Sequence, residues 1–177
     1  MTDTTAQLAQ KLTAAQATLK AQYRQSPASA QQVLHAAGQV RQDQLACDVT
    51  GFLGVSRSGL HPATGGDGSL ACSGDMLLQA LVGCAGVTLA AVATALGVTI
   101  QDATITAEGD LDFRGTLGVD KTAAVGFTAI RLAFAIASDA SPAQRESLQK
   151  LTERYCVVYQ TLAKGVDIQS EFTAQHR

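Results

Sequence analysis

Four cysteines, Cys47, Cys72, Cys84 and Cys156, and three histidines, His35, His61 and His176, are the residues of this chain best suited to nucleophilic, redox or metal chemistry. The cysteines include no C-x-x-C pair and the histidines no finger-type spacing, so a zinc site is not expected. Cys47, in a strand-like run, reads as a small apolar core residue, and His35 as structural or exposed. Cys84 and Cys156 differ, because each falls near the middle of a helix-like segment, MLLQALVGCAGVTLAAVATALGVTI and ERYCVVYQTL. A lone cysteine in an apolar helix is ordinarily inert packing. Here Gly83 and Gly86 thin the first helix around Cys84. On the second, Thr152, Cys156 and Gln160 recur at steps of four, on a more polar side than the stripe Leu148, Leu151, Tyr155, Tyr159 and Leu162. The two cysteines are therefore a candidate redox pair.

For Cys84 to act as a nucleophile, its thiol pKa must fall from about 8.5. The dipole of its own helix fades within the first turn, and Cys84 lies nine residues beyond Asp75. Burial raises the pKa further. Residues 58 to 113 contain no Lys or Arg. The stabilising charge is therefore expected from elsewhere in the fold, from Arg41, Arg57, Arg114, Arg131, Arg154 or an arginine of a second subunit. His61 is a weaker candidate, since it need not be charged at neutral pH. Two other readings compete. A cysteine acyl-transfer enzyme would pair Cys84 with His61 and an orienting acid, but no hydrolase signature surrounds them. A non-enzymatic protein would bind a small apolar ligand or partner and use its cysteines only for packing.

The elements that must position these residues follow from periodicity. Residues 5 to 24 place Leu8, Leu12, Ala15, Leu19 and Tyr23 on one helical stripe, ended by Ser26-Pro27. QQVLHAAGQV and QLACDVTGFLGV read as a hairpin about RQDQ. Residues 56 to 75 read as a loop, and its TGGDGS stretch fails both phosphate-loop templates. Ser73 is the expected N-cap of the central helix, with Asp75 in the first turn. The apolar run is long enough to span a membrane. It lacks flanking basic residues and interfacial Trp or Tyr, and it breaks at Gly97, so a helix buried on all sides of a soluble protein is expected. Residues 98 to 113, bent at Gly109, and 127 to 138 read as strands. Ser141-Pro142 opens a helix running to Ala163, closed by Lys164-Gly165, and VDIQSEFTA reads as a final strand. The order α, ββ, loop, α, ββ, α, β is that of an α+β domain of sheet packed on helices.

The 177 residues suit one domain of 27–177 with an N-terminal amphipathic helical extension, 1–26. With 5% aromatic residues and no Trp, the core must be built from Ala, Val, Leu and Gly. A net charge of −2 spread along the chain offers no nucleic-acid footprint. The N-terminal residues carry no export or transit pattern, which points to the cytoplasm, where thiols are kept reduced. No cofactor and no membrane partner are expected.

The segments GGDGSLACSGDMLLQALVGCAGVTL, EGDLDFRGTLGVDK and LTERYCVVYQTL resemble the OsmC/Ohr family of organic hydroperoxide reductases, across about residues 30 to 175. The resemblance implies an OsmC-like fold, with antiparallel sheets wrapped around a central helix, in an intertwined homodimer with its sites at the interface. It makes Cys84 the peroxidatic thiolate, attacking the distal oxygen of a hydroperoxide to give a sulfenic acid and an alcohol. Cys156 then closes a disulfide with it, which an external dithiol, a lipoyl group in some members, reduces. Asp75 stands nearest the acidic residue that the family places at the start of the central helix. Arg41 and Arg57 both qualify as the arginine set against the thiolate. Val157 replaces the proline that commonly follows the second cysteine. Small apolar residues around Cys84 favour an alkyl hydroperoxide over hydrogen peroxide.

Overall fold

The computed structural model describes residues 3–52 and 54–173. Helix α1, Asp3–Gln25, is followed by a single 3-10 turn, Pro27–Ala30. Strands β1 (Ala37–Arg41), β2 (Ala46–Gly51), β3 (Gly54–Gly59) and β4 (Ala71–Cys72) form one sheet in that order. The first three are antiparallel, and β4 runs parallel to β3. From β4 the chain passes directly into α2, Ser73–Leu96. Strand β5 (Ile100–Asp110), the short α3 (Phe113–Thr116) and β6 (Ala129–Ser138) follow, with β5 and β6 forming a long antiparallel ribbon. Helices α4 (Pro142–Tyr155) and α5 (Val157–Lys164) close the regular structure.

Local chemistry accounts for several boundaries. Gly97 takes the left-handed conformation, φ 65°, that ends α2, and the amides of Gly97 and Val98 return to the carbonyls of Thr94 and Ala93. Ser141 caps α4 in a reciprocal capping box with Gln144, and Pro142 occupies the first turn.

Other boundaries differ from expectation. The first hairpin forms, but its first strand begins at Ala37, and residues 31–36 are exposed and unpaired, His35 among them. Part of the expected loop is instead β3, in which Ser56, Arg57 and Ser58 pair with Val49, Asp48 and Cys47 and Arg57 meets Asp48 across the strands. Cys72, not Ser73, is the N-cap of α2, and its thiol makes no capping bond. Strand β5 is irregular between Ile100 and Asp102 and stays in register through Gly109. Gly109 serves close approach instead of a bend, since a Cβ there would collide with the Phe127 ring. Residues 165–173 form no strand with the described residues, and Ala174 and His176 lie outside them.

The core lies between α2, the β5–β6 ribbon and α4, where Leu89, Val92, Ala93, Val98, Ala140 and Leu148 bury together. Helix α2 is long and apolar enough to cross a membrane by length and composition. Within the chain it is buried on one face only, through Leu81, Ala85, Leu89, Val92 and Ala93. Val87 on the opposite side is 74% exposed. The expectation of burial on all sides fails because β5, α4 and α5 cover only one flank.

Candidate active site

The expected single helix from Ser141 to Ala163 is two helices, and the break falls on Cys156. Cys156 has extended backbone angles, φ −72° and ψ 108°, ending α4 and starting α5. Its amide still donates to Thr152 O at 2.9 Å, but the regular pattern then stops. The Glu153 carbonyl, which Val157 N–H would reach in a continuous helix, instead accepts from the Gln160 side-chain amide at 2.7 Å. The Gln160 side chain thus takes the acceptor that a continuous helix would use. The Cys156 sulfur accepts the Tyr159 amide at 3.5 Å, so the thiol is the cap of α5. Cys156 is thus not a mid-helix residue, and it is 1% exposed.

Helix α2 brings Cys84 to this break. It is half-buried, next to the fully buried Ala85. Burial pushes its thiol pKa up, while the Val158 amide, the Cys156 thiol, the Val157 amide and the Thr88 hydroxyl pull it down, and the result lies below the ordinary thiol value. Cys156 moves the other way. Burial raises its pKa, the Tyr159 amide opposes that, and the adjoining Cys84 raises it again through hydrogen bonding and charge. Two neighbouring thiols are therefore differentiated, one toward thiolate and the other toward thiol. That division suits attack by Cys84 followed by resolution by Cys156.

Thr88, Val157, Val158 and Gln160 escaped the sequence reading as functional residues. Thr88 is detectable as the residue four beyond Cys84, on the same helical face. The two valines act through their backbone, to which side-chain identity offers no guide. Thr152, one turn before Cys156, is 2% exposed, with its hydroxyl unpartnered.

The other candidate residues gather elsewhere. Arg41 and Arg57 both pair with Asp48 on β2, with Nε to carboxylate distances of 2.8 and 2.5 Å. Arg57 adds a second bond to the same carboxylate, Nη2 to Oδ2 at 3.1 Å. The two guanidiniums hold the Asp48 pKa down at about 2. His61 accepts the Ala63 amide on Nδ1 at 3.0 Å and stacks on Phe113 with ring centroids 4.8 Å apart. With Asp75 and Cys72 it lines a cavity of about 370 Å³ at the first turns of α2. Cys84 is not part of that lining, and nine residues of α2 rise separate it from Asp75, about 13 Å along the axis. None of these four residues is among the groups acting most strongly on the Cys84 thiol. A Cys84–His61 acyl-transfer pair is not assembled.

A groove of about 430 Å³ opens between β6 and α5, lined by Leu81, Ile130, Leu132, Phe134, Tyr159 and Leu162 among others. Its walls mix these apolar side chains with Glu153 and Thr128, and Tyr159 joins it to the Cys156 cap.

Comparison with known proteins matches residues 66–171 to the family described as OsmC-like protein. No curated protein matches the sequence. Among solved structures, an OsmC-like protein from Mycoplasma pneumoniae is similar at 18% identity and a TM-score of 0.62, covering 76% of this chain and 89% of that one. An organic hydroperoxide resistance protein, OsmC, from Legionella pneumophila is similar at 15% identity and a TM-score of 0.58, covering 77% and 95%. The organic hydroperoxide resistance protein OhrB of Bacillus subtilis is similar at 15% identity and a TM-score of 0.52, covering 77% and 94%. These likenesses show a shared fold, and with the family match across the glycine loop, both cysteine helices and the β5–β6 ribbon, the chain belongs to the OsmC/Ohr family and has the OsmC-like α+β fold.

Proposed function

We propose that the protein is a thiol-dependent peroxidase that reduces organic hydroperoxides to alcohols. The observation that carries this reading is the placing of Cys84, half-buried on α2, beside Cys156, whose buried sulfur caps α5 at the α4–α5 break. The Cys84 thiolate attacks the distal oxygen of ROOH. The O–O bond breaks, the alkoxide takes a proton and leaves as ROH, and Cys84 becomes a sulfenic acid. The Cys156 thiol condenses with it, forming the S–S bond and releasing water. An external dithiol, of lipoyl type in this reading, reduces the disulfide and is itself oxidised. The apolar residues around Cys84 (Leu81, Ala85 and Leu89) support an alkyl or aryl hydroperoxide over hydrogen peroxide.

The functional unit in this reading is a homodimer in the cytoplasm. Its peroxidase domain is residues 27–177, with α1 in the extension 1–26. The uncovered side of α2 and the exposed Val166, Ile168 and Phe172 of the alternating C-terminal segment support a second copy as the missing cover.

Initial rates with cumene hydroperoxide and with hydrogen peroxide, using dihydrolipoamide or thioredoxin as reductant, test the activity. Faster turnover of cumene hydroperoxide, sustained by dihydrolipoamide, is expected. No consumption of any alkyl hydroperoxide would favour a binding protein with structural cysteines.

A further inference from the structure

Resting on the proposed Cys84–Cys156 disulfide, we infer that Cys156 is also a redox-operated helix cap. As a thiol its sulfur anchors the first turn of α5, and as a disulfide it releases that turn and loosens one wall of the groove between β6 and α5.

The first amides of a helix have no partner within it and are ordinarily capped by a side-chain oxygen of Ser, Thr, Asp or Asn. At the start of α5 the N-cap is Cys156, and the atom that accepts the Tyr159 amide is its sulfur, at 3.5 Å. A helix of eight residues is marginal on its own, and α5 has no fully buried residue within the chain. Two local ties hold its beginning. One is the Cys156 sulfur on Tyr159 N–H, and the other is the Gln160 side-chain amide on Glu153 O at 2.7 Å. Only the first runs through an atom whose bonding changes in the reaction.

Cys156 is 1% exposed, where α2 packs against both α4 and α5. A disulfide fixes the directions of both Cβ–S bonds and brings the two sulfurs to about 2 Å. Forming it draws the Cys156 sulfur toward α2, and a contact that is already 3.5 Å long has little slack to follow. Tyr159, Leu162 and Ala163 form the α5 side of the 430 Å³ groove, so a released first turn is a loosened wall. The groove beside the pair is firm while both thiols are reduced, and it gives way when a disulfide is present for an external dithiol to attack.

The test is amide hydrogen exchange read by NMR on the full-length protein, with the amide of Leu148, buried in α4, as the reference for global opening. Cys156→Ala removes the cap without making a disulfide, and Tyr159 exchange is expected to rise about fivefold while Leu148 stays as in the native protein. Cys156→Ser puts a preferred capping oxygen in place of the sulfur and should keep Tyr159 protected. In the native protein, one equivalent of diamide takes the two thiol hydrogens onto its azo nitrogens as the S–S bond forms, with no peroxide involved. Tyr159 exchange in that Cys84–Cys156 form is expected to match Cys156→Ala. Unchanged Tyr159 exchange in the mapped disulfide form would overturn the inference and leave the peroxidase reading standing, as would equal exchange in Cys156→Ala and Cys156→Ser. Failure of diamide and hydroperoxide alike to join Cys84 to Cys156 would sink both.

Discussion

The Cys156 sulfur lies between two partners, accepting the Tyr159 amide that begins α5 and adjoining the Cys84 thiol on α2. One atom thus caps a helix and faces the candidate nucleophile. Forming a disulfide with Cys84 would redirect that sulfur, so the cap and the redox state of the pair are linked.

The roles of the two cysteines separate in single-turnover experiments. Cys84→Ser should lower peroxide consumption to the uncatalysed background. Cys156→Ser should still consume one equivalent per chain and leave a sulfenic acid at Cys84 that dimedone traps. Equal loss of the first turnover in both variants would contradict the assignment.

Asp48 makes the β1–β3 sheet acid-sensitive. Its carboxyl is held at about 2 by Arg57 and Arg41, against an ordinary value of 3.8. A depressed carboxyl stabilises the fold above its unfolded pKa and loses that contribution as pH falls through its folded one. Urea unfolding of native protein and Asp48→Asn should therefore differ most above pH 4, and the gap should close between pH 4 and about 2. The exposure of both arginines keeps the effect small. A gap independent of pH would contradict the pairing.

Much of the fold was legible where punctuation is local. Ser141-Pro142 and Gly97 mark helix ends through chemistry confined to a few residues, and the alternation of residues 129–138 marks β6. The break at Cys156 was not, because no glycine or proline interrupts LTERYCVVYQTL and its period continues across the gap. The bond that holds it, Gln160 to Glu153 O, spans seven residues and has no periodic signature. Cys84 and Cys156 could be named as candidates from residue type and helix placement alone. The engagement of Arg41 and Arg57 by Asp48 was not legible, because it depends on the register of β1, β2 and β3. The uncovered side of α2 was hidden for a related reason. A helix apolar all round looks wholly buried, whereas one chain covers only one face of it.

Gly109 is needed for the packing of Phe127. A Cβ there would fall 2.5 Å from Phe127 Cδ1, so the ring or β5 must move. Gly109→Ala should destabilise the protein by about 1–3 kcal/mol by overpacking, measured as a lower urea midpoint. An unchanged midpoint would show that the ring has room to swing aside.

The uncovered side of α2 predicts an assembly. Light scattering should give the mass of two chains, and Val87→Glu, at a position 74% exposed within one chain, should shift the protein toward monomer with little loss of helicity. A native protein that stays monomeric at micromolar concentration would remove the dimer from the account.

The most direct test of the central claim is to add one equivalent of cumene hydroperoxide to the reduced protein and map its disulfides by mass spectrometry. The account predicts a Cys84–Cys156 bond as the dominant product, with Cys47 and Cys72 left as thiols. Retention of all four thiols across a range of alkyl hydroperoxides would contradict it.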